Sequence, residues 1–320
     1  MAMIKRVSAL LLVFLSVGML SAEDELIKFG DFEQWIERSY KESAIIGGNR
    51  KTLLEVGPTA HWPEGKAYSN TGGSPWGTSN VYAKVAGVVK TNSSVYKDTH
   101  EGHGFCAKLV THVESVKVIG LINIRVIATG SLFTGEIKEP ITSSKNGVAN
   151  IDFGIPFTRR PRAIKYDYKV HLTDSPDRVR ETGFSKASKV AGPDMCQAIV
   201  ILQKREEDAK GNIVAYRVGT MIVHYGKSTS SWVNDKEYAI HYGDISHESW
   251  YRDYMGLCSD DKALYARNSK GKLVRCNEIG WAAASDAPTH AIVKFDSSHG
   301  GAYIGTAGST LWIDNVRWVY

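Results

Sequence analysis

Beyond residue 100 the chain places apolar residues at every second position. The pattern is clearest where Ile164, Tyr166, Tyr168, Val170 and Leu172 interleave with Lys165, Asp167, Lys169 and His171. A period of two sends alternate side chains to opposite faces, so this stretch predicts a β-strand with one buried and one wet face. Val116 to Ile127 is apolar at eight of its twelve positions, on both faces, and predicts one long strand covered on both sides. Gln197 to Leu202 and Ile213 to Tyr225 predict a long hairpin, because the segment between them turns polar at Arg205 and closes on Gly211-Asn212. Further strands are predicted from His290 to Asp296 and from Thr310 to Tyr320.

Helical periodicity is scarce. Phe32, Trp35, Ile36 and Tyr40 follow Asp31 at a spacing that suits either a capped helix or the first strand of a sandwich. Tyr238 to Met255 is aromatic-rich and irregular, as expected of a loop with a short helical turn. Gly47-Gly48, Gly72-Gly73-Ser74-Pro75 and Gly300-Gly301 mark loops rather than linkers. The expectation is one all-β domain from residue 26 to residue 320, a jelly-roll β-sandwich of two antiparallel sheets with long loops and at most short helices.

The N-terminus changes the picture of where this domain works. Lys5 and Arg6 precede an apolar run from Val7 to Leu20, followed by Ser21-Ala22 and then acidic residues. A short cationic start, an apolar run too brief to span a bilayer and a small residue at its exit predict a signal peptide over residues 1–22, cleaved after Ala22. The protein is then expected in the periplasm, at the cell surface or outside the cell. No later stretch reaches the roughly 20 apolar residues a spanning helix needs. The net charge of +5 includes Lys5 and Arg6, and no basic stripe is interleaved with aromatics, so nucleic acid is not an expected partner. The four cysteines, Cys106, Cys196, Cys258 and Cys276, allow three disulfide pairings or four buried thiols. Cys258 with Cys276 is the most local pairing, worth about 3 kcal/mol by loop closure.

Familiar catalytic signatures are absent: there is no His-Glu-x-x-His, no Gly-x-Ser-x-Gly, no phosphate loop and no calcium-binding Asp-x-Asp-x-Asp-Gly run. Asp167, Glu206, Glu207, Asp244 and Glu248 are carboxylates of ordinary context, expected as solvated surface charges. Aromatic residues say more. Trp62, Tyr68, Trp76 and Tyr82 fall in one Gly/Ser/Thr/Asn-rich stretch, and Trp232, Trp250 and Tyr254 in another. Rings on loops or on a sheet face stack well on the apolar faces of sugars, although a sandwich of this size also buries several. Trp76, Tyr82, Trp232 and Trp250 are the expected ligand contacts.

The chain also resembles known families. Gly30-Asp31-Phe32-Glu33 near the start and Ile313-Asp314-Asn315-Val316 near the end are similar to the bracket of jelly-roll carbohydrate-binding modules. That resemblance implies a structural calcium ion on Glu33 and Asp314, with Asn315 standing where the modules carry a second Asp. Hard carboxylate oxygens from adjacent strands suit this ion. Gly154 to Lys169, with its Arg-Pro-x-x-Ile-x-Tyr-x-Tyr-Lys strand, and the closing Trp312-Ile313-Asp314-Asn315-Val316 resemble the putative carbohydrate metabolism domain family of exported bacterial proteins. The resemblance implies a sandwich fold and a glycan or polysaccharide partner, but no particular reaction. The expected function is carbohydrate recognition without catalysis. The alternatives are a glycoside hydrolase or lyase with a carboxylate pair in a cleft, and a structural or adhesive component of a surface assembly.

Overall fold

The computed structural model describes residues 23–70, 73–85, 87–118, 122–143, 147–183 and 186–320. The proposed signal peptide therefore lies outside the described residues. Two large sheets dominate. A six-stranded sheet runs in the order Val233–Ala239, Ala163–His171, Thr310–Val319, Gly104–Val110, Val95–His100, with Asp24–Leu26 also pairing with Thr310–Val319. A ten-stranded sheet has at its centre Ser131–Ile137, His290–Asp296, Cys196–Glu207, Ile213–Tyr225 and Leu273–Trp281.

The two sheets bury their alternating apolar sets against each other. Ile164, Tyr166, Val170, Leu109, Leu311 and Ile313 come from the six-stranded sheet, and Ala198, Val200, Leu202, Val293 and Phe295 from the ten-stranded one. Phe32, Trp35 and Trp76 belong to the same cluster. Tyrosine hydroxyls inside it are satisfied by one another: Tyr166 Oη lies 2.5 Å from Tyr225 Oη, which donates to Tyr238 Oη at 3.1 Å. A buried hydroxyl without such a partner would cost about 1–3 kcal/mol.

The long hairpin forms as its pattern predicts, with Cys196 opposite Tyr225 and Glu207 opposite Ile213. Two expectations change, and two alternatives that the sequence left open are decided. Val116 to Ile127 is not one strand but part of an antiparallel pair, His112–Val118 with Ile122–Ala128. The segment after Asp31 resolves as a strand, Trp35–Lys41, paired with Arg50–Val56. The large sheet is not wholly antiparallel, because Ile213–Tyr225 pairs in parallel with Leu273–Trp281. All four cysteines are free thiols, Cys258 half-buried and the other three buried. Helical content among the described residues is three 3-10 turns, at Ala44–Ile46, Asp253–Met255 and Asp260–Lys262.

Candidate functional site

Alternation that sends Tyr166 and Ile313 into the core sends Lys169, Asp167, Trp312 and Asp314 to the opposite face of the six-stranded sheet. One row crosses four strands there: Tyr96 opposite Lys108, Lys108 opposite Trp312, Trp312 opposite Lys169. Lys169 Nζ stands 4.4 Å and Lys108 Nζ 5.4 Å from the Trp312 ring centroid. The indole Nε1 donates to Asp98 Oδ2 at 2.9 Å, which fixes the ring beneath the two ammonium groups.

The next row is acidic and buried. Asp167 lies opposite Asp314 beside a bulge in the pairing, and Asn315 in that bulge adopts a left-handed backbone with φ 52°. Asn is among the residues that take this conformation at low cost. Its backbone N–H donates to Asp314 Oδ1 at 2.7 Å and its amide to Asp167 Oδ2 at 2.8 Å. Asp167 Oδ1 accepts the backbone N–H of Asp235 at 2.6 Å. Asp314 Oδ2 meets His100 Nδ1 at 2.7 Å.

His100 is held on both faces. Its ring stacks on Trp232 at 3.7 Å and on His103 at 4.2 Å. Burial, with the neighbouring charges of Asp167, Glu33 and Asp31, pushes the Asp314 carboxyl up to about 8. Burial and the charge of His103 hold His100 below the ordinary imidazole range. Cys106 shares this region, but burial pushes its thiol up to about 12, which removes it as a nucleophile.

Next to this row the two ends of the chain meet. Ile27 N–H donates to Val316 O, and Val316 N–H to Gly30 O, each at 2.9 Å. Glu33 reaches across to accept the Phe105 N–H at 2.7 Å. The turn leaves room for it because residue 104 is glycine with φ 95°. A Cβ there would lie 2.1 Å from Glu33 Oε1. Asp31 Oδ1 is enclosed yet has no hydrogen-bond partner among the described residues. An orphaned carboxylate oxygen beside Glu33 and Asp314 fits a hard cation with oxygen ligands.

The ligand contacts expected from sequence are not brought together. Trp232 lies in the site. Trp76 is a correction: it is 0% exposed, packs on Phe32 and donates its Nε1 to Lys28 O, so no ring face is open to a ligand. Tyr82 stacks on Tyr40 at 4.8 Å and Trp250 packs on His241 at 4.2 Å, both outside the sheet face that carries Trp312. Asp167 is a second correction, 2% exposed rather than solvated, whereas Glu206, Glu207, Asp244 and Glu248 are exposed as expected. His100, His103 and Trp312 were not singled out as site residues. The His-x-x-His spacing was visible, but its meaning depends on the hairpin that Val95–His100 makes with Gly104–Val110.

Two other charged clusters have structural explanations. On the ten-stranded sheet Arg217 bonds Glu278 through Nε at 2.8 Å and Nη2 at 2.5 Å, with both side chains 0% exposed and Gln203 completing the carboxylate's shell. Arg38 bridges Glu55 and Glu139 beside a cleft with room for about one water.

Residues 48–254 match the family described as "Putative carbohydrate metabolism domain". No curated protein matches the chain. Among solved structures, one described as a putative glycoside hydrolase from Bacteroides thetaiotaomicron is 18% identical, with a TM-score of 0.47 over 85% of this chain and 75% of that one. Another, described as a putative glycoside hydrolase from Bacteroides vulgatus, is 14% identical, with a TM-score of 0.47 over 83% of this chain and 91% of that one.

Proposed function

We propose that this chain, which belongs to the putative carbohydrate metabolism domain family, binds a glycan across the outer face of its six-stranded sheet. The observation that carries the reading is the fixed Trp312 ring between Lys108 and Lys169, with half-buried Trp232 nearby and Asp98 at its edge. A rigid indole offers contact area at little entropic cost, and flanking charges supply hydrogen bonds to hydroxyl or carboxylate groups of a sugar.

Binding is favoured over cleavage by a carboxylate pair because Asp314 is 0% exposed and engaged with His100. Asp167 and Asp314 are neighbours across paired strands, yet a buried acid does not reach a glycosidic bond. The apolar run at the N-terminus supports an encounter outside the cytoplasm, and N-terminal sequencing of the mature protein tests cleavage after Ala22. A calcium ion on Glu33 and Asp314, joined by Asp31, is part of the same proposal. It would neutralise the buried carboxylates and tie the first segment to the last strand.

The direct test is affinity electrophoresis on a panel of neutral and acidic polysaccharides. Retardation of the wild-type protein, lost in Trp312→Ala and Trp232→Ala, is the expected result. No retardation on any polysaccharide overturns the reading.

A further inference from the structure

We propose that His100, His103 and Asp167 form a binding site for a first-row divalent cation such as Zn2+, distinct from the oxygen-lined site at the chain ends. One ligating atom from each lies within 4.8 Å of the others. Two imidazoles and a carboxylate suit a borderline cation, and three protein donors leave a fourth position open for water or a ligand oxygen.

The surroundings are those a built site requires. His100 has its Nδ1 engaged by Asp314 Oδ2 at 2.7 Å, which leaves Nε2 to face the cation. Such a carboxylate behind a histidine fixes its tautomer and orientation. Trp232 at 3.7 Å blocks rotation of the ring. Asp167 is held by the Asp235 N–H at 2.6 Å and the Asn315 amide at 2.8 Å. Each bond occupies one side of one oxygen, so a lone pair remains on both. His103 is exposed in the turn after His100, and its Nε2 lies 3.4 Å from the Asn234 amide. That weak contact yields easily, and His103, now stacked on His100 with the rings 18° apart, must turn out of the stack to bring its in-plane lone pair to the same cation.

The test uses the full-length protein freed of metal by dialysis against a chelator. Co2+ is titrated in and read by its visible absorption, and Zn2+ is then added as competitor. The expected result is one saturable equivalent of Co2+ displaced by Zn2+, with His103→Ala weakening both at least about tenfold. His61→Ala removes an exposed histidine elsewhere and should change nothing. Glu33→Gln should also leave Zn2+ binding intact, which separates this site from the calcium proposal. Absence of saturable binding, or equal affinity in wild type and His103→Ala, overturns the inference.

Discussion

His100 Nδ1 and Asp314 Oδ2 lie 2.7 Å apart although 214 residues separate them in the chain. This contact joins the hairpin Val95–His100 and Gly104–Val110 to the last strand through side chains as well as through backbone pairing. It also fixes the His100 ring, which is stacked between Trp232 and His103.

Trp76 and Trp312 should separate stability from binding. Trp76→Ala removes a fully buried ring and is expected to cost about 3–5 kcal/mol in denaturant unfolding. Glycan affinity of the folded fraction should stay unchanged. Trp312→Ala should do the reverse, with little loss of stability and about tenfold weaker binding. Equal effects of both variants on binding would count against Trp312 as the platform.

Removal of calcium should lower the melting temperature. An ion that binds the folded state alone at 100 times its Kd stabilises by about 2.7 kcal/mol. Differential scanning fluorimetry with a chelator, followed by added Ca2+, should show a fall and a recovery, and Glu33→Gln should abolish the recovery. A melt insensitive to chelator and Ca2+ alike removes Glu33 and Asp314 as calcium ligands.

Acid should destabilise the protein through two histidines of the ten-stranded sheet. Burial pushes His224 and His290 from 6.5 down to about 4, with His299 and Arg205 respectively opposing their protonation further. A lowered folded-state pKa gives stability that is complete above the unfolded value and lost as pH falls toward the folded one. The window therefore runs from about pH 6.5 to 4, with up to about 3 kcal/mol at stake for each histidine, less where solvent reaches it. His224→Phe with His290→Gln should flatten the unfolding free energy over this range. An equally steep profile in the double variant would place the acid lability elsewhere.

Arg217→Met should destabilise by about 3–5 kcal/mol, because it leaves the buried Glu278 carboxylate without its cation. Adding Glu278→Leu to the same chain should recover much of the loss, since an apolar pair has no charge to leave unpaired. Urea unfolding of the single and double variants measures both steps. A double variant no more stable than the single would mean that the pair contributes chiefly through packing.

Strands were legible where the physics is local. Ile164, Tyr166 and Val170 had to share one face of any strand they formed, and Cys196 to Tyr225 carried its own turn. Val116 to Ile127 misled because a run apolar on both faces looks alike as one covered strand or as two paired ones. Trp76 misled for a related reason: a tryptophan in polar, loop-like sequence gives no local sign of which way its ring turns.

By itself the sequence determined the all-β class, the buried face of the Ile164 to Leu172 strand and the long hairpin. Tertiary structure alone decided the site. Asp167 and Asp314 become neighbours through strand register, and His100 gains Asp314 and Trp232 from segments more than one hundred residues away. Register depends on a bulge around Asn315 and on packing across two sheets. None of these residues is unusual in its own stretch of sequence, so the chemistry of the face exists only once the strands are paired.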